Sequence, residues 1–196
     1  MPRETTEVRQ EQIKKAVLHI IAEKGLHSLS TRNLALEVGI SEGAIFKHFA
    51  SKRDIILGIM HDVQIDLMLE LRTISLSAST AEEKMFRFLC KHVRYLIENN
   101  GITILLFSEA AHLNDKELKQ NLNNIISEQK SLISKIITDG IAEGVFDKHL
   151  PIEDLASIYM GIPITLSIEL VLNPGKTVVD DFCKRMLGVI MKVLKV

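Results

Sequence analysis

Apolar residues return at intervals of three and four along most of this 196-residue chain. In the first fifty residues Ile13, Ala16, Val17, Ile20 and Ile21 mark one face of an α-helix. Lys24-Gly25 closes that run, where a glycine takes up the left-handed conformation that ends a helix. Ser30 is placed to cap a second helix running through Val38, with Leu34, Ala35 and Val38 turned inward. Gly39-Ile40-Ser41 forms a compact turn: Gly39 supplies a positive φ and Ser41 caps a third helix that reaches about Phe49. Ile45 and Phe49, four residues apart, share one face of it. Ser51-Lys52-Arg53-Asp54 then sets a hydroxyl three residues before a carboxylate, the spacing of a capping box.

The remainder carries the same period. A fourth helix is expected from Ser51 to about Ile74, and further helices at about 82–98, 103–113, 115–139, 153–172 and 177–195. Asn99-Asn100-Gly101 and Asn173-Pro174-Gly175 are breaks. The last helix lines up Val179, Phe182, Cys183, Met186, Ile190, Val193 and Leu194, with Asp180, Asp181, Lys184, Arg185, Lys192 and Lys195 opposite. The helix before it is apolar nearly all round, and Gly161 and Pro163 predict a kink in it. Leu155 to Leu172, which holds Ser157, Pro163, Thr165, Ser167 and Glu169, is long enough to raise the question of a membrane span, but Pro163 and Glu169 argue for a buried helix of a soluble protein, with no membrane partner.

Composition narrows the class. Hydrophobic residues make up 46% and charged residues 25%, which excludes disorder; 5% aromatics, no Trp and only four Pro disfavour a β-sandwich. The fold class expected is all-α. Two cysteines, Cys90 and Cys183, are too few for a disulfide framework or a cysteine-based zinc site, and Cys90 and His92 point to different helix faces. No metal and no cofactor is implied. The N-terminus lacks an apolar targeting stretch, so a reduced, cytoplasmic setting is expected. A net charge of −1 speaks against a nucleic-acid partner until it is resolved along the chain. Residues 1–53 hold nine Lys/Arg against six Glu, a +3 head; residues 54–196 hold 15 against 19, a −4 body.

Two short helices around a three-residue glycine turn make a helix-turn-helix, braced by the first helix, with the third free to enter a major groove. Generic helical hairpins share that shape, and the residues carry the argument further. Ser30-Thr31-Arg32-Asn33-Leu34-Ala35, then Val38-Gly39-Ile40-Ser41-Glu42-Gly43-Ala44-Ile45-Phe46-Lys47-His48-Phe49, then Ser51-Lys52-Arg53-Asp54-Ile55-Ile56 resembles the tetracycline-repressor (TetR) family of bacterial transcription regulators over about residues 9–57. The resemblance implies an N-terminal three-helix DNA-binding domain, residues 1–53, and a helical ligand-binding and dimerisation domain, residues 54–196. Phe46 stands where the family usually has Tyr, which removes one expected phosphate contact, and Ala50 replaces a commoner Pro, Gly or Lys.

By the same resemblance Thr31 and Arg32 meet phosphate at the start of the second helix, and Arg32 also reaches toward a base edge. Glu42, Gly43, Ala44, Phe46 and Lys47 belong to the recognition helix: the small residues allow close approach to a thymine methyl, Lys47 serves guanine or phosphate, and Glu42 either accepts from cytosine or is a solvated carboxylate. His48 and Lys52 match phosphate-binding positions. The partners implied are a palindromic double-stranded DNA operator, a second copy of the chain docked through the last two helices, and a small-molecule inducer. Phe86, Leu89, Cys90, Val93, Phe107 and Ala111 either line a ligand cavity or form plain core. His92, Glu109, His112, Tyr159 and Glu169 are the polar candidates to orient a ligand, and the low aromatic content points to a lipophilic, chain-like one. No G-x-S-x-G, phosphate loop or H-E-x-x-H occurs, so an enzyme is not expected. The competing reading is a helical small-molecule or lipid carrier whose DNA-binding head is degenerate.

Overall fold

A computed structural model describes residues 5–112, 115–173 and 179–195, and every regular element among them is a helix. The elements are α1 (Thr6–Lys24), α2 (Thr31–Val38), α3 (Glu42–Ile45), α4 (Lys52–Asp62), α5 (Leu69–Ser75), α6 (Ala81–Glu98), α7 (Ile102–His112), α8 (Lys116–Ala142), α9 (Ile152–Leu172) and α10 (Val179–Leu194). A single 3-10 turn, Leu26–Ser28, follows α1, and a π-helical stretch, Val63–Met68, lies between α4 and α5. The chain expected to be one α-helix from Ser51 to Ile74 is therefore helical throughout but widened for six residues in the middle.

The residues pack as two compact units, Met1–Val63 with Asn99–Leu122, and Gln64–Glu98 with Asn123–Val196. In the first unit α1 packs on α2, α4 and α7. Its core holds Ile13, Ala16, Val17, Ile20 and Ile21 of α1, the face read from the sequence, with Leu34, Ala35, Ile45, Phe49, Ile55, Ile56, Ile59, Leu105 and Leu106. Each fully buried aliphatic side chain stabilises by about 1.5–3 kcal/mol relative to exposure. Val38 is only half-buried. Gly25 has positive φ but extended ψ (79°, 162°), so it turns the chain out of α1 without the left-handed helical geometry expected there.

In the second unit α6 is central and packs on α5, α9 and α10. Met85, Phe88, Leu89 and Val93 are wholly buried on it. Phe88 meets Tyr159 of α9 edge-to-face at 6.3 Å, and the Tyr159 hydroxyl donates to the Met85 carbonyl at 2.5 Å. Thr80 and Glu83 exchange hydrogen bonds with each other's backbone N–H at the head of α6, both 3.3 Å, a capping box. Lys84, buried, is held by Asp139 at 3.0 Å.

Helix α9 is long and apolar enough by length and composition to cross a membrane, and it runs unbroken through Pro163. It buries Leu155, Ala156, Tyr159, Met160, Pro163, Leu166, Ser167 and Leu170 within its own unit. Ile158, Ile168 and Leu172 of α9 are exposed, as are Val189 and Val193 of α10; Val193 was expected on the buried face, which Cys183, Ile190 and Leu194 occupy instead. The break at Pro174-Gly175 lies outside the described residues.

Candidate nucleic-acid interface

Three serines set the geometry. Ser30, Ser41 and Ser51 have extended backbones, and each accepts from the amide three residues on: Asn33 at 3.2 Å, Ala44 at 3.2 Å and Asp54 at 3.3 Å. Each cap fixes where a helix begins and leaves the other first-turn N–H groups of α2 and α4 able to meet an anion. Ser51 also donates to the Asp54 carboxylate at 2.8 Å, so the second arm of this box runs between side chains. Gly39 takes the left-handed conformation (φ 74°, ψ 35°), and the Ile40 amide closes onto the Ala35 carbonyl at 3.0 Å, which stops α2 and turns the chain toward α3.

Helix α3 is shorter than the sequence suggested. It ends at Ile45, and Phe46, Lys47 and His48 form a tightened turn: the Lys47 and His48 amides reach back three residues, to Ala44 and Ile45, at 3.2 and 3.0 Å. A one-turn helix containing Gly43 has few i→i−4 bonds to hold it, and the tighter spiral takes over. The Phe49 amide still reaches the Ile45 carbonyl at 3.1 Å, so the apolar pair stays on one face, 2% and 9% exposed.

This frame leaves Arg32, Glu42, Gly43, Phe46 and Lys47 exposed, with Thr31, Ala44 and His48 half-buried. Thr31, Phe46 and Lys52 line one cleft with Leu34 and Ser51. The His48 carbonyl accepts from Gln10 Nε2 at 2.9 Å, tying the turn to α1, and its Nδ1 is enclosed without a hydrogen-bond partner among the described residues.

The cations divide into two kinds. Arg32 and Lys47 make no ion pair with a described residue. Lys14 is paired with Glu11 and Asp62, Lys15 with Glu11, and Lys24 with Glu37. Lys52 Nζ lies 2.8 Å from Glu109 of α7, and Arg53 Nε lies 2.5 Å from Asp115 with Glu117 on the same guanidinium. The Arg53 hydrogen bond, then the Leu118 amide, hold the Asp115 carboxyl down to about 2, and the same carboxylates push the Arg53 guanidinium further up. Sequence reasoning marked Lys52 but not Arg53, and took Glu109 for a ligand-orienting residue. The partners stand 57 to 64 residues apart along the chain, so no motif spacing signals them.

Of the six apolar ligand candidates, Phe86, Leu89, Cys90 and Val93 stand on α6 in the second unit, the first half-buried and the others buried; Phe107 and Ala111 are exposed on α7 in the first. Of the polar ones, His92 and Tyr159 are buried, Glu169 is exposed, and the His112 side chain lies outside the described residues. Cys90 and Cys183 are both free and buried, and burial pushes both thiols up. No cluster of three or more His, Cys, Asp or Glu suited to a metal occurs among the described residues.

A serine-capped helix pair around a left-handed glycine, presenting small residues and, in Arg32 and Lys47, cations without an ion pair among the described residues, defines a helix-turn-helix DNA-binding protein. The comparisons carry this to a family. Residues 13–59 match the model of bacterial regulatory proteins of the tetR family, and residues 64–192 match that of the YsiA-like protein C-terminal region. The chain belongs to the tetR family and is a DNA-binding transcriptional regulator. The fatty acid metabolism regulator protein of Bacillus subtilis is 26% identical over 141 residues, 72% of each chain. Among solved structures, the ketosteroid transcriptional regulator KstR2 of Mycobacterium tuberculosis has a TM-score of 0.81 at 18% identity, over 96% of this chain and 95% of that one. The transcriptional regulator FadR of Bacillus subtilis in complex with stearoyl-CoA has a TM-score of 0.74 at 22% identity, over 94% and 98%.

Proposed function

We propose that this regulator is a cytoplasmic repressor, and not an enzyme, that binds a palindromic operator as a homodimer and is released by a long-chain fatty acyl ligand. The observation that carries the DNA reading is the exposure of Arg32 on α2 and Lys47 just after α3, without internal ion pairs among the described residues, together with the small residues Gly43 and Ala44 of α3. Arg32, Thr31, His48 and Lys52 serve phosphates, and Glu42, Gly43, Ala44 and Lys47 face the bases, with Phe46 adding an apolar contact beside them. Residues 1–53 act as the reading head and 54–196 as the ligand and dimer body. The exposed apolar residues Ile158, Ile168, Leu172, Val189 and Val193 support pairing through α9 and α10, since a dimer would bury them. Such a dimer presents two reading heads about 34–36 Å apart to successive major grooves. The acyl ligand rests on the fatty acid regulator among the relatives and the stearoyl-CoA held by a structural neighbour.

Operator selection from genomic DNA followed by fluorescence anisotropy tests this. Affinity should fall linearly in log–log terms as salt rises from about 50 to 200 mM, and Lys47→Ala should weaken binding and flatten the slope. Stearoyl-CoA should release the operator, because only a ligand that prefers the DNA-incompetent state shifts the equilibrium. Equal weak affinity for every sequence sinks the repressor reading. Acyl-CoA binding without operator binding favours the carrier reading instead.

A further inference from the structure

We infer that Glu109 is a positioning residue for operator binding: it competes with DNA phosphate for the Lys52 ammonium, as Asp115 competes for the Arg53 guanidinium. The inference rests on the DNA-binding reading above, which supplies the phosphate. Lys52 and Arg53 are the first two residues of α4, at the helix end where backbone N–H groups and the helix dipole favour an anion. Carboxylates from α7 and the start of α8 occupy both side chains.

The two pairs are built differently. The Glu109 side chain is 7% exposed and the Lys52 side chain 50% exposed. Lys52 therefore has the freedom to swing toward a phosphate, whereas Glu109 does not follow it into solvent. A carboxylate that deep loses much when its cation leaves, so Glu109 resists the exchange. Asp115 is anchored without Arg53: it accepts the Glu117 and Leu118 amides at 2.9 and 3.1 Å, and keeps those bonds when the guanidinium leaves. Release of Arg53 is thus the easier step and release of Lys52 the controlling one. Any rearrangement that withdraws Glu109 from α4 raises the number of phosphates the protein can grip.

The test compares the full-length wild type with Glu109→Gln, Lys52→Ala and the double variant, by operator anisotropy across a salt series, with circular dichroism and gel filtration on each. Gln keeps the shape of the side chain and removes its charge. Glu109→Gln should tighten binding about three- to tenfold at low salt and steepen the log–log salt slope by about 0.9 for each lysine freed. Lys52→Ala should erase that gain in the double variant. Glu109→Asp, which keeps the charge but shortens its reach, gives a second arm with a smaller gain in the same direction. Wild-type binding that depends on salt, with affinity and slope unmoved or affinity reduced in both Glu109 variants, overturns this inference alone. A wild-type chain with no salt-dependent operator binding overturns it together with the DNA reading.

Discussion

Replacing His92 should remove most of the protein's loss of stability between pH 7 and pH 5. This histidine lies on α6 with 6% of its surface exposed, and its Nδ1 finds no hydrogen-bond partner among the described residues. Burial drags its pKa from 6.5 to about 4. The unfolded chain takes up a proton below about 6.5 that the folded chain refuses until about 4, so stability is full above 6.5 and drains away as the pH falls toward 4. At about 1.4 kcal/mol for each pH step, the loss comes to about 2 kcal/mol at pH 5 and about 3 at pH 4. The carboxyls held low, among them Asp115 near 2 and Asp139 beside Lys135 and Lys84, surrender their contribution only below about pH 4.5, under the histidine's window. Urea unfolding followed by circular dichroism at pH 7.5, 6.0 and 5.0, at one fixed protein concentration, reads the difference. Wild type should lose about 2 kcal/mol across that range and His92→Leu well under 1, whatever the variant's stability at pH 7.5. Equal losses in the two proteins would refute the assignment of that window to His92.

Two glycines give further tests. A methyl at Gly140 of α8 would overlap the Phe146 ring, whose Cγ would lie 2.9 Å away with two ring carbons nearer still, and Phe146 is 2% exposed. Gly140→Ala should lower the melting temperature, because overpacking costs about 1–3 kcal/mol against a helix-propensity gain of about 1; a melt at or above wild type would show the ring free to yield. Gly39→Ala meets no atom within 4 Å but must hold φ near 74°, at about 1–2 kcal/mol. It should weaken operator affinity by misplacing α3, and unchanged anisotropy and melting together would show that the turn tolerates another geometry.

What could be read from the sequence is what local rules decide. A serine accepting from the amide three residues on, a glycine with positive φ, and apolar residues three and four apart each act within one turn of helix. The caps at Ser30, Ser41 and Ser51 and the buried face of α1 accordingly stand where the pattern put them. Where two local rules compete, the structure departs from the pattern. The Ile45–Phe49 spacing suggested one continuous helix, but that pair stays together through a tighter turn once the i→i−4 ladder fails at Phe46. Val193 satisfied the apolar period of α10 and still faces outward, because the period gives the direction of a stripe and not its width.

The electrostatics of the head show the other kind of failure. Counting residues turns a chain of net −1 into a +3 head, yet charge available to a phosphate depends on which cations already have partners. Lys52 and Arg53 find theirs 57 to 64 residues away, on α7 and the start of α8, segments that the count had assigned to the acidic body and that pack with the head. The unpaired positive charge of the described head residues therefore includes Arg32 and Lys47 and excludes the two cations at the start of α4. That is why the salt slope of operator binding is the informative measurement: it counts the cations that reach phosphate, and Glu109 is placed to change that number without touching DNA.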